Sequence, residues 1–382
     1  MSVADLALQR SKYKHLSDDE WRWFLQQVEG KERTAEKLPT FASIPDYWYP
    51  VRLSCEQCSS ELAARYKASL VSGDTMADLT GGYGVDTYFL SENFTHTDYV
   101  EQNAELCRIA THNFANKPIT IHNTSAEEFL TSAGQYDLIF LDPARRDSHG
   151  GKVFRLEDCT PNVVELLPTL LAHSKRVLLK LSPMLDLTQA IHALSAVTWD
   201  IYVVAIKNEV KEILLVSNGS GKITAIDLDK KDQAFTFTRE EESYSEAVLQ
   251  AQLQCNGLTG GIIVPPVGKE AGLYLYEPSA AILKAGAYKL IAERFHLLKL
   301  DANTHLYASD TLIPNFPGRV WQIKFEIKKH KFEIKNANVL VRNYPLSPEA
   351  LKKKLHLRDG GTAFVIGCRV AGKPTLFYAE RV

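Results

Sequence analysis

The chain has 382 residues, of which 45% are hydrophobic and 24% charged. That is enough apolar material for two or three packed domains and too much for a disordered or collagen-like chain. A formal charge of −2 excludes a chain that is basic throughout, and no run of 18 apolar residues is present. The opening residues 1–10 carry neither a basic n-region nor a continuous apolar h-region, so a cytoplasmic, non-membrane protein is expected.

The first fifty residues read as helical. Ser17 followed by Asp18, Asp19 and Glu20 offers an N-cap and an acidic first turn ahead of Trp21, Phe24, Leu25 and Val28. Gly30 is expected to end that helix. The aromatic- and proline-rich stretch through Tyr47, Trp48, Tyr49 and Pro50 is expected to pack, with base stacking as the alternative. Cys55 and Cys58 have the spacing of half a zinc site, but no second close pair completes four ligands. They read as ordinary cysteines, and no metal is expected.

From residue 59 to 216, short apolar runs alternate with helical stretches, the pattern of β-α-β units around a mainly parallel sheet. Strands are expected over 75–79, 97–101, 119–122, 136–141, 176–181, 201–206 and 213–216. Only six residues, 207–212, separate the last two. A parallel crossover needs about a dozen or more, so the last pair must be antiparallel.

Residues 76–86 read Met-Ala-Asp-Leu-Thr-Gly-Gly-Tyr-Gly-Val-Asp. An apolar strand ends at Asp78 and runs through Gly81, Gly82 and Gly84 into a helix, so backbone can approach a ligand where helix N–H groups converge. Thr87 stands where the dinucleotide pattern requires glycine, which disfavours hydride transfer. The next strand ends at Glu101, placed to accept from both hydroxyls of a ribose.

In this order and spacing the stretch resembles the class I S-adenosylmethionine-dependent methyltransferases, over residues 75–216. The resemblance implies a Rossmann-like seven-stranded sheet whose last strand is antiparallel. It implies that Asp78, Gly81, Gly82 and Gly84 surround the methionine part of S-adenosyl-L-methionine, that Glu101 binds its ribose, and that Ser125, Ala126 and Glu127 lie beside the adenine.

The fourth expected strand ends in Asp142-Pro143-Ala144-Arg145-Arg146. A carboxylate there lies at the sheet edge where open α/β folds bind ligands. The tetrapeptide resembles the Asp/Asn-Pro-Pro-aromatic motif of amino-directed nucleic-acid methyltransferases. It implies that Asp142 borders the cofactor and, with the Pro143 carbonyl, holds an exocyclic amine beside it, although Ala144 and Arg145 replace the second proline and the aromatic residue. Asp-Pro-Pro-Arg occurs in RNA uracil-C5 methyltransferases, whose nucleophilic cysteine on the next strand has no counterpart in residues 177–183. Arg145 and Arg146 either grip phosphate or pair with Asp147 and Glu157.

Residues 319–358 hold eleven Lys/Arg against three Asp/Glu, a net of +8. Such a basic face, including Lys352, Lys353 and Lys354, is the footprint of phosphate-backbone binding or a solvated lysine surface. The run from Asn343 to Leu355, followed by Arg358-Asp359-Gly360-Gly361, resembles the THUMP-like domain that accompanies certain methyltransferases, which implies an RNA partner such as tRNA or rRNA. The expected organisation is a helical region (1–55), a methyltransferase domain (56–240), a connecting α/β segment (241–317) and a small basic α/β THUMP-like domain (318–382). The expected activity is methylation of an exocyclic amino group of adenine or guanine in RNA. The alternatives are a protein or small-molecule acceptor, or a non-catalytic RNA-binding protein that keeps the cofactor fold.

Overall fold

The structure is a computed structural model that describes residues 6, 8–145, 155–245, 272–327 and 334–382. The chain divides into two units, Met1–Ile201 with Glu212–Ser220, and Tyr202–Lys211 with Gly221–Val382.

The first unit opens with helices. Ser17 caps the helix Asp18–Thr34 in a reciprocal capping box with Glu20, as the sequence predicts. The helix does not stop at Gly30. It continues for another turn, since Gly30 does not take the positive φ of a capping glycine; its missing side chain makes room for Tyr49, whose side chain a Cβ there would meet at 2.3 Å. The nearby aromatics pack, with Phe41 and Tyr47 rings 4.4 Å apart and both residues buried. Trp48 stacks on His112 at 3.8 Å.

The sheet of this unit contains β1 (Thr75–Asp78), β2 (His96–Val100), β3 (Ile119–His122), β4 (Tyr136–Leu141), β5 (Ser174–Leu181) and β7 (Glu209–Ser217). Its order is β7-β5-β4-β1-β2-β3. Between them in the chain, β6 (Trp199–Ile206) turns back into β7 through Lys207 and Asn208, whose φ values of 53° and 59° match a tight hairpin turn. The pairs β1–β2, β1–β4, β2–β3 and β4–β5 are parallel, and β7 is antiparallel to β5, with Leu178 opposite Val216. The antiparallel last strand therefore stands as expected. Chain progression reverses between β1 and β4, so their carboxyl ends diverge into a crevice. Residues Leu138 to Leu141 are all buried, as a strand covered on both faces requires.

In the second unit, Ile223–Asp227 pairs antiparallel with Phe235–Phe237. A seven-stranded sheet holds Tyr274–Pro278, Leu298–Asp301, Thr304–Ser309, Gly318–Glu326, Asn338–Arg342, Ala363–Val370 and Lys373–Arg381. Its core is built around Trp321, Leu306, Ile366 and Phe377. The expected single helix over 280–295 is two, Ala280–Ala285 and Leu290–Arg294, because Gly286 adopts φ 88° and caps the first. The expected order strand, strand, helix, strand, strand at the end of the chain is present, with Ser347 capping Pro348–Lys354. The helix expected over 239–253 is seen to residue 245, and the remainder lies outside the described residues.

Candidate active site

The crevice at the carboxyl ends of β1 and β4 is a cavity of about 290 Å³. It is built by the glycine turn. Gly82 and Gly84 have φ of 55° and 82°, a region that side chains resist. A Cβ on Gly81 would meet the Tyr99 ring at 2.2 Å, and one on Gly84 would meet Phe114 at 2.5 Å. Gly82 faces open space instead, its nearest contact being the Thr80 carbonyl at 3.7 Å. Two of the three glycines thus fit the turn against the buried cluster of Tyr99, Cys107, Ala110 and Phe114, and the third bares backbone to the cavity.

Glu101 closes the turn from β2. Its Oε2 accepts the Gly82 N–H at 2.9 Å and its Oε1 the Asn103 N–H at 2.8 Å. Ser125 caps the short helix Ala126–Leu130 by accepting the Glu128 N–H at 3.1 Å, and Ser125, Ala126 and Glu127 border the same cavity. Asp78 is buried at the end of β1, accepting from Thr87 Oγ1 at 2.5 Å and from the Thr80 N–H at 2.9 Å. Burial pushes its carboxyl up to about 7 against those two hydrogen bonds, and Asp86 and Asp142 add to the rise. Thr80 also ties the two loops together, its Oγ1 accepting the Asp142 N–H at 2.6 Å.

Asp142 borders the cavity with its side chain 39% exposed. Pro143 follows it, half-buried, and Ala144–Arg145 forms a two-residue strand against Cys159–Thr160. Thr160 and Pro161 come into the cavity wall from that side. Arg146 lies outside the described residues, as do Lys328, Lys329 and Lys331. Lys352, Lys353 and Lys354 belong to the second unit, in the last turn of Pro348–Lys354, where Lys352 donates to Asp359 at 2.6 Å.

Sequence reasoning missed a buried ion network beside Asp142, whose Ser59, Asp86 and Lys180 also border the cavity. Lys180, on β5 one residue beyond the Leu141–Leu179 pair, donates to Asp142 Oδ2 and lies 3.5 Å from Asp86 Oδ2. Asp86 Oδ1 lies 3.2 Å from Lys67 Nζ, which reaches both oxygens of Glu212 at 2.7 Å. Ser59 Oγ donates to Asp86 Oδ2 at 2.7 Å. Burial opposes the Lys180 ammonium, but Asp142, Asp86 and Glu212 outweigh it and hold its pKa well above the usual lysine range. Burial likewise opposes the Asp86 carboxylate, and Lys67 with Lys180 outweighs it, keeping Asp86 below its ordinary value. The signal was present: a lysine interrupts the apolar run 177–181 at the strand end.

Cys58 also borders the cavity. Burial pushes its thiol up, and pushes that of Cys55 up to about 12, so both favour the protonated form. Among the described residues no group of three or more His, Cys, Asp or Glu is placed to hold a metal ion.

This geometry can be set beside known proteins. The crystal structure of a protein from Porphyromonas gingivalis W83, described as a methyltransferase, is 31% identical, covers 96% of this chain and 92% of its own, and superposes with a TM-score of 0.80. The chain belongs to the S-adenosylmethionine-dependent methyltransferases. An uncharacterized S-adenosylmethionine-dependent methyltransferase of Mycobacterium tuberculosis is 23% identical over 361 residues, covering 91% of this methyltransferase and 92% of that protein. Within the second unit, a family model described as a ferredoxin-like domain matches residues 274–317, and one described as THUMP domain-like matches residues 319–381. The enzyme therefore pairs a cofactor-binding sheet with a THUMP-like domain, and S-adenosyl-L-methionine is its methyl donor. Among the described residues no helix is long and apolar enough to cross a membrane.

Proposed function

We propose that this methyltransferase modifies an exocyclic amino group of adenine or guanine in RNA, with Asp142 and the Pro143 carbonyl holding the acceptor. The observation that carries the reading is the position of Asp142: partly exposed, in the cavity wall that also contains the glycine turn, and followed by Pro143. The cavity suits the cofactor. Gly82 bares backbone where a side chain would fill the space, Glu101 keeps acceptor capacity on both oxygens for a ribose diol, and the buried carboxyl of Asp78 complements a cation. Gly81 and Gly84 shape the turn, and Ser125, Ala126 and Glu127 form the wall assigned to the adenine. When bound, S-adenosyl-L-methionine supplies an electrophilic methyl carbon.

The protein's own contribution is positioning. Two acceptors, a carboxylate oxygen and a carbonyl, take the two hydrogens of an amino group and leave its lone pair aimed into the cavity. The RNA part of the proposal is supported by the THUMP-like match and by the excess of cationic residues over 319–358. Arg145 and Arg146 follow the acceptor motif, and we assign them, with Lys352, Lys353 and Lys354, to phosphate contacts. The test is a nucleoside digest of total RNA from cells with and without the gene, read by mass spectrometry. A methylated adenosine or guanosine that disappears with the gene supports the proposal, and an unchanged nucleoside profile opposes it.

A further inference from the structure

We infer that Lys180 is the positioning residue for Asp142, fixing that carboxylate in the orientation that receives the acceptor. The inference rests on the reading of Asp142 given above and adds a residue outside the acceptor motif. Lys180 and Asp142 meet because β4 and β5 run parallel in register, with Leu141 beside Leu179, so each chain places its next residue at the same edge. Their exposures divide the roles. Both border the cavity, but the Asp142 side chain is 39% exposed while that of Lys180 is only 13% exposed.

The ammonium is bound on its other side as well, by Asp86 at 3.5 Å, and Asp86 is in turn held by Lys67 and Ser59. Lys180 therefore has little freedom of its own. A buried charge between two carboxylates, one of them in the helix that follows the glycine turn, locks the rotamer of the carboxylate it touches. Oδ2 of Asp142 is occupied by Lys180, and Oδ1 takes no hydrogen bond from the described residues. One oxygen is anchored and one is left for the acceptor.

This assigns the lysine a task that packing alone does not require. A leucine or methionine at 180 would continue the apolar run of β5, yet would release Asp142 to rotate into solvent or toward the cofactor. An acceptor held by a swinging carboxylate loses alignment, and a displacement of about 1 Å costs on the order of 100-fold in rate.

Two measurements on the full chain test the inference. The first needs no acceptor: melting temperatures of Lys180→Met, Asp142→Asn and the double variant. If the two side chains act as a pair, the double variant melts no lower than Lys180→Met alone; fully additive losses overturn the inference. Should Lys180→Met fail to fold, Lys180→Gln with Asp142→Asn gives the same cycle.

The second follows methyl transfer to total RNA or total protein, whichever pool the unmodified enzyme labels. Lys180→Met is expected to lose roughly 100-fold in kcat, with KM for the pool and affinity for S-adenosylhomocysteine within about threefold, and Lys180→Arg to recover at least about a tenth of the activity. Turnover within threefold of the unmodified enzyme, or an equal loss of S-adenosylhomocysteine affinity, overturns it. Labelling of protein alone refutes the RNA proposal while the variants still decide the role of Lys180. If neither pool is labelled, the melting cycle decides it.

Discussion

The Gly82 N–H donates to Glu101 Oε2 at 2.9 Å, so the carboxylate at the end of β2 and the glycine turn after β1 are locked together before any ligand arrives. One residue thereby both shapes the turn and offers its remaining lone pairs to the cavity. Glu101→Ala should weaken S-adenosylhomocysteine binding by about 1.5 to 3 kcal/mol, roughly 10- to 150-fold. Calorimetry reads the effect directly. Equal affinity in the variant and the unmodified enzyme would remove Glu101 from the cofactor site.

With Asp78 assigned to the cofactor, binding should depend on pH. Its folded carboxyl titrates at about 7 rather than at its ordinary 3.8, chiefly because it is buried. An ionised carboxylate favours the cationic cofactor, so S-adenosylmethionine affinity should rise by up to about tenfold between pH 6 and pH 8. S-adenosylhomocysteine, neutral at sulfur, should gain less. Asp78→Asn should flatten both profiles, and a profile unchanged by that substitution would contradict the assignment. For stability the sign is opposite: a raised carboxyl pKa contributes stability that is full below the ordinary value and is lost as pH rises through about 7.

Asp142→Ala should abolish transfer yet leave S-adenosylhomocysteine binding within about threefold, because its partner is assigned to the acceptor. Parallel losses of binding and turnover would make Asp142 a cofactor ligand instead.

Lys67 is fully buried between Asp86 and Glu212. Removing it by Lys67→Met strands two carboxylates without their shared cation, which should cost about 3 to 5 kcal/mol of stability. Chemical denaturation measures this. The companion change Glu212→Gln, made together with Lys67→Met, should recover part of the loss, whereas strictly additive losses would show that the pair is not coupled.

The basic surface of the second unit predicts salt dependence. The logarithm of the RNA binding constant should fall with the logarithm of salt by about 0.7 to 0.9 per phosphate contacted. Replacing Lys352, Lys353 and Lys354 together by Gln should make that slope shallower for many RNA sequences alike, and S-adenosylhomocysteine binding should not change. Lys352 already pairs with Asp359, so Lys353 and Lys354 should carry more of the effect. An unchanged slope would identify the lysines as solvated surface.

Much of this architecture was legible because it depends on local signals. Alternating apolar runs located β1 to β7 within a few residues, and the short 207–212 connection pointed to the turn back that leaves the last strand antiparallel to β5. Glycines at 81, 82 and 84 marked the turn for the reason the structure displays, positive φ or contact with Tyr99 and Phe114. What was not legible depended on distant partners. Gly30 carries no local sign that Tyr49 needs its missing side chain, and the helix passed through it. Lys67 and Glu212 are 145 residues apart, and the periodicity of either segment gives no sign that they meet. Lys180 stood out as a charge in an apolar strand, but its meaning required the register that sets it beside Asp142.

The central claim, that the acceptor is RNA, is tested most directly by incubating the full-length enzyme with methyl-labelled S-adenosylmethionine and, separately, total cellular RNA and total protein. Label should enter the RNA, be lost with Asp142→Ala, and reside on adenosine or guanosine after digestion to nucleosides. Label confined to the protein pool would contradict the account.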